Sequence, residues 1–155
     1  MSSSLGEIAV EESSLRAVGW ARSLPLQSTP KEARDWALGH LETLDWTDSA
    51  PQTVDAVLIT VSELVTNAHV HAHSHAQLVM TWDGRCLHVA VRDGSSELPR
   101  TRPPSDQRLG GRGMFLVDAL ADEWEARPCQ DGKTVIACFR PPSVAEDTGP
   151  ETLPR

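Results

Sequence analysis

The segment Thr53–Ala72, TVDAVLITVSELVTNAHVHA, decides how the rest of the chain is read. Val54, Leu58, Val61, Val65, Ala68 and Ala72 recur at alternating steps of four and three, the spacing that lays one apolar stripe along an α-helix. On a neighbouring line of the same helix stand Glu63, Asn67 and His71, each four residues after the last. A carboxylate, an amide and an imidazole stacked on one face make a first candidate site. Taken alone, a Glu and an Asn at this spacing are more often an ordinary solvated face.

Downstream, Ala76–Trp82 and Cys86–Asp93 read as two strands joined by Asp83-Gly84, a dipeptide suited to a type I′ hairpin turn. Leu87, Val89 and Val91 share one face, and the period of two places Asp93 on that face just where the strand ends. A carboxylate at the rim of an apolar face is costly without a partner, although Asp before Gly is also a common turn former. A loop over 94–109 follows, long enough to be a lid or binding loop. It ends in Gly110-Gly-Arg-Gly113 and runs into the apolar helical stretch Met114–Leu120. Trp124–Arg127 and Thr134–Phe139 read as a final hairpin around Asp131-Gly132.

Upstream, Thr29-Pro30-Lys31-Glu32 opens a helix with a capping Thr and a Pro at its first position, running to about Leu44. Leu15–Leu24 is expected to be an edge strand. Residues 1–14 and 141–155 are polar, acidic or Pro-rich and read as disordered tails, leaving one domain over 15–140.

Composition narrows the function. With 155 residues and 39% hydrophobic content the chain suits a single core, and a net charge of −8 argues against a nucleic-acid phosphate backbone as its main partner. The only lysines are Lys31 and Lys133. Three cysteines, Cys86, Cys129 and Cys138, form no CxxC pair, which points to a reducing compartment, and two of them read as buried strand residues. No apolar run is long enough to span a bilayer and the N-terminus has no signal-peptide pattern, so a soluble, cytoplasmic protein without membrane contact is expected.

Three pieces converge on one chemistry. Glycines before a helix let backbone approach a phosphate, and the unpaired N–H groups of the first turn favour negative charge. Gly110–Gly113 supplies this. Glu63 and Asn67 can offer a carboxylate and an amide oxygen to a hard Mg²⁺ or to a water beside it, and Asp93 can accept from an exocyclic amine such as adenine N6. Together they would seat a nucleoside triphosphate.

Glu63-Leu-Val-Thr-Asn67-Ala-His-Val-His71-Ala72, Val91-Arg-Asp93-Gly-Ser, Gly111-Arg-Gly-Met-Phe-Leu-Val117 and Asp131-Gly-Lys-Thr134 occur in that order. The series resembles the small anti-sigma-factor serine/threonine kinases of the GHKL superfamily, over roughly residues 15–140. That resemblance implies an α+β fold, the two-layer α/β sandwich of the Bergerat or histidine-kinase-like ATPase type, with a mixed, mainly antiparallel sheet and helices on one face. It implies ATP and Mg²⁺ as cofactors, Glu63 as catalytic base, Asn67 as Mg²⁺ ligand and Asp93 as the adenine-reading carboxylate. Gly111 and Gly113 would lie under the triphosphate, Thr134 near the adenine, His71 beside the nucleotide as a cap or packing residue, and Arg108 or Arg112 against the γ-phosphate. The implied activity is phosphorylation of an anti-sigma-factor antagonist, with a sigma factor as second partner and a homodimer as the assembly. One departure stands out: the superfamily's Asp-x-Gly-x-Gly is here Asp93-Gly94-Ser95-Ser96, closer to the Asp-x-Ser-Pro of a short actinobacterial branch, which bears on nucleotide pose and the lid.

Other readings predict different things. A regulator that binds ATP or ADP and only sequesters a partner has no use for Glu63 as a base, and a stand-alone histidine-kinase-like catalytic domain would make an acid-labile phosphohistidine. His69, His71, His73 and His75 could suggest a metal protein, but they straddle a helix end, and no cysteine or carboxylate cluster in the sequence completes a site around them.

Overall fold

A computed structural model describes residues 7–11, 16–95 and 111–142. The strands are β1 (Glu7–Glu11), β2 (Arg16–Leu24), β3 (Ala76–Trp82), β4 (Leu87–Asp93), β5 (Glu123–Cys129) and β6 (Gly132–Phe139), and they form one sheet in the order β1-β2-β3-β4-β6-β5. Every pairing is antiparallel, so the described sheet has none of the parallel component a mixed sheet would carry. The helices are α1 (Pro30–Leu41), α2 (Pro51–Thr66) and α3 (Gly111–Leu120). This is the expected α+β architecture, with the helices covering one face of the sheet.

Alternation along the strands builds the core. Leu87, Val89, Val91 and Asp93 of β4 face inward, as do Lys133, Val135, Ala137 and Phe139 of β6. They meet Ala33, Ala37 and Leu41 from α1, Val57, Val61, Leu64 and Val65 from α2, and Met114 and Val117 from α3. Fully burying a side chain such as Leu64 or Phe139 contributes about 1.5–3 kcal/mol each.

Several expectations shift by a residue or an element. The buried stripe of α2 is Val57, Thr60, Val61, Leu64 and Val65, while Val54 and Leu58 are only partly buried, so the helix is rotated slightly from the periodicity read above. Glu7–Glu11, within the segment read as a tail, pairs with β2, so β2 is an inner strand and not the edge. At the other edge, β5 exposes Glu123, Glu125 and Arg127 and contains Pro128.

α1 begins as expected: Thr29 accepts from the Glu32 amide at 3.2 Å, and Pro30 takes the first helical position. It closes at Leu41, short of Leu44. The β3–β4 connection is not a type I′ turn. Gly84 alone takes a positive φ of 94°, as the first central residue of a II′-type turn, while Asp83 precedes it and accepts from the Arg85 and Cys86 amides at 2.9 and 2.8 Å. Burial pushes the Asp83 carboxyl up, but these two amides and the nearby His88 outweigh it and hold its pKa below the ordinary aspartate value.

Candidate nucleotide site

α2 ends at Thr66, and the backbone widens into a π-helical turn over Asn67–His71, closed by the Ala72 amide on the Asn67 carbonyl at 3.0 Å. Single π turns mark functional positions more often than chance. Here the turn interrupts the four-residue stacking of Glu63, Asn67 and His71. Glu63 sits half-buried on the last α-helical turn, about 6 Å along the axis from Asn67, and makes no ion pair or hydrogen bond among the described residues. His71 lies exposed on the π turn.

Asn67 is the hinge between two of the predicted pieces. Its Nδ2 donates to Met114 Sδ at 3.1 Å, and Met114 is buried in the first turns of α3. Asn67 is thereby held beside the helix that opens with Gly111-Arg112-Gly113. The glycines are part of the first turn of α3, one step further in than a glycine loop preceding it. With its nitrogen committed to sulfur, the oxygen of the amide is the atom left over, the kind of donor a hard cation takes. The residues present therefore fit Mg²⁺ at Asn67. The described structure gives no side-chain placement for Arg112, and Arg108 and most of the 94–109 loop lie outside the described residues.

Asp93 ends β4 as expected, but with a partner the sequence did not announce. Lys133 Nζ lies 2.9 Å from Asp93 Oδ2 and 3.1 Å from Oδ1, and both residues are 6% exposed. The Ser95 amide adds a bond to Oδ1 at 2.8 Å. A carboxylate has about four lone-pair positions and an ammonium three protons, so the pair retains one acceptor and one donor position for a further group.

Thr134 does not join them. The register pairs Asp93 with Lys133 and Arg92 with Thr134, and by the period of two Thr134 falls on the outer face, where its hydroxyl meets Cys129 Sγ at 3.2 Å. Lys133, the residue before it, occupies the inner position beside Asp93.

Two further contacts close the site. Ser74 accepts from the Gly94 amide at 2.7 Å through its hydroxyl, tying the segment after α2 to the end of β4. Gly132 starts β6 so close to β4 that a β-carbon would overlap the Asp93 carbonyl oxygen and lie 2.8 Å from Gly94 Cα. Gly132→Ala is expected to cost about 3 kcal/mol, the upper end of ordinary overpacking, and to pull Asp93 from Lys133; a urea melt reads the first effect and nucleotide affinity the second.

Two other histidines of the run, His69 and His75, are structural fasteners. His69 Nε2 meets the Leu24 carbonyl at 3.0 Å, His75 Nδ1 accepts from the Leu26 amide at 3.2 Å, and His73 takes the left-handed conformation with φ 51°. His69 and His75 thereby link the end of β2 and the residues just after it to the turn into β3, and among the described residues the run forms no cluster of ligand atoms.

A family model for the histidine kinase-like ATPase domain matches residues 25–139, which includes every one of these site positions. The chain belongs to the histidine kinase-like ATPase domain family. The ATPase domain is thus an ATP-binding module of the GHKL type, a class that binds its nucleotide with Mg²⁺. Among solved structures it is similar to the histidine kinase domain from Erythrobacter litoralis EL346 blue-light activated histidine kinase, at 25% identity and a TM-score of 0.44, over 60% of this chain and 46% of that one. The chain therefore spans less than half the length of that structure. No curated protein matches it. Among the described residues, no helix is long and apolar enough to cross a membrane.

Proposed function

We propose that the ATPase domain is a cytoplasmic serine/threonine protein kinase that also acts as an anti-sigma factor, phosphorylating an antagonist protein and assembling as a homodimer. The observation that carries the catalytic part is the arrangement around Asn67: its amide nitrogen is held on Met114 near the start of α3, and Glu63 lies one turn back with its carboxylate uncommitted among the described residues. A carboxylate without a competing ion pair can accept the proton of an attacking hydroxyl. The first-turn amides of α3 would hold the phosphates, and bound Mg²⁺ would supply charge neutralisation there. At the other end, the Asp93–Lys133 pair offers an acceptor beside a donor, matching the N6 amine and N1 of adenine. The order of the four sequence motifs supports the anti-sigma assignment and its partners.

Calorimetric titration of ATP with Mg²⁺ into the wild type and Asn67→Ala tests the site. The variant is expected to bind at least about tenfold more weakly, or ~1.4 kcal/mol. Equal affinities would remove Asn67 from the site. Incubation with candidate antagonists then tests the activity: a phosphoprotein stable to acid and labile to base supports serine or threonine transfer, whereas an acid-labile product would overturn it.

A further inference from the structure

The outer face of the sheet, away from the helices, brings together three side chains that the nucleotide chemistry does not use. His88 on β4 stands directly across from Cys138 on β6, and Cys86, two residues before His88, shares that face. One donor atom from each of Cys86, His88 and Cys138 lies within 4.8 Å of the other two, and all three residues are half-buried. They are free thiols and an imidazole, without a disulfide. Among the described residues they are the only group of three or more His, Cys, Asp or Glu so placed.

The donor set discriminates among ions. Two thiolates and an imidazole are soft-to-borderline ligands that suit zinc and are poor partners for Mg²⁺, so this group and Asn67 would not compete for one metal. Tetrahedral zinc holds its sulfur and nitrogen donors about 3.5–3.8 Å apart, so closure requires movement of about 1 Å at most, within reach of side-chain rotation. A supporting shell is in place. Asp83 Oδ2 lies 3.5 Å from His88 Nε2, and the Asp83 carboxylate is itself fixed by the Arg85 and Cys86 amides. A carboxylate behind a ligating imidazole fixes the ring's orientation and tautomer and leaves the other nitrogen for the ion. The nearby cation, Arg140, is paired with Glu123 at 2.8 Å and also lies in hydrogen-bonding contact with the Cys86 side chain, which it would release to the ion, and two thiolates balance a divalent ion.

We propose that Cys86, His88 and Cys138 form a zinc site with Asp83 as its outer support and a water in the fourth position. The site bridges β4 and β6 at the ends opposite Asp93 and Lys133. From His88 to Asp93 the distance along β4 is about 17 Å, so zinc would clamp the same strand pair whose far ends hold the buried ion pair.

The test uses the full chain, kept reduced, stripped with a chelator and free of any affinity tag. Zn²⁺ is titrated in competition with a chromophoric chelator, and Co²⁺ is used as a spectroscopic substitute. One equivalent should bind, with a thiolate-to-cobalt charge-transfer band and the intense visible bands of a tetrahedral ion. Cys86→Ser with Cys138→Ser should abolish both signals, Asp83→Asn should weaken binding by about 10–100-fold, and His73→Ala with His75→Ala should change nothing. Should the double serine variant not fold, His88→Gln and Asp83→Asn, each checked by thermal melting, carry the same comparison. Undiminished Zn²⁺ binding in a folded Cys86 and Cys138 variant would overturn the site, as would loss of binding in the His73 and His75 variant, or octahedral cobalt without a sulfur band.

Discussion

Asp93→Ala should lower the unfolding free energy by about 3–5 kcal/mol, because it leaves the Lys133 ammonium buried without its counter-charge. That is a large share of the ~5–15 kcal/mol a domain usually has, and a denaturant melt would read it directly. The same variant should lose nucleotide binding when measured at a temperature where it remains folded. These two losses have separable causes. Replacing both partners with apolar residues of similar size, Asp93→Leu with Lys133→Met, removes the stranded charge, and most of the stability should return. ATP affinity should not, since no acceptor remains for the adenine amine. A single Asp93→Ala variant that melts within ~1 kcal/mol of the wild type would show that the pair is not desolvated. Recovery of ATP binding in the double variant would move the adenine elsewhere.

Glu63→Gln should reduce phosphoryl transfer by about 10²–10⁴-fold, the usual contribution of a positioned general base, while ATP affinity stays within a few-fold of the wild type. The near-isosteric amide keeps the shape of the half-buried position and removes the basic oxygen. Because Glu63 holds no ion pair among the described residues, the substitution should leave the fold intact, with a melting transition close to that of the wild type. Single-turnover measurement with saturating ATP isolates the step from binding. Transfer at the wild-type rate would remove Glu63 from the chemistry. A matching fall in ATP affinity would make it a binding residue.

Much of this was legible from periodicity. The apolar recurrence in Thr53–Ala72 located α2, the alternation of Leu87, Val89 and Val91 oriented β4, and the same period put Asp93 on the inner face. What escaped depends on contacts between distant segments. Asp93 and Lys133 meet only because β6 lies beside β4 with β5 outside it, an order that neither strand's own pattern specifies. The inward parity of β6 was ambiguous as well, since Ile136 and Cys138 are as apolar as Val135 and Ala137. Only the register shows that Lys133, and not Thr134, stands on the inner face beside Asp93. The π turn was hidden because Ala68 and Ala72 continue an α-helical spacing through a backbone that has already widened. The same β4–β6 register assembles Cys86, His88 and Cys138, which read singly as strand residues, whereas in the conspicuous run from His69 to His75 the first and last members bind backbone.

The composition of β5 governs how the sheet can meet other chains. An outermost strand normally offers a row of free amides and carbonyls as a template for strand addition. Pro128 has no amide to contribute, and the charges of Glu123, Glu125 and Arg127 line the exposed side. Growth of the sheet into a neighbouring molecule at this border is thereby discouraged. β6, with the lysine that neutralises Asp93, is only one strand inward, so this border also shields the nucleotide-facing end of the sheet from being drawn into an intermolecular ribbon.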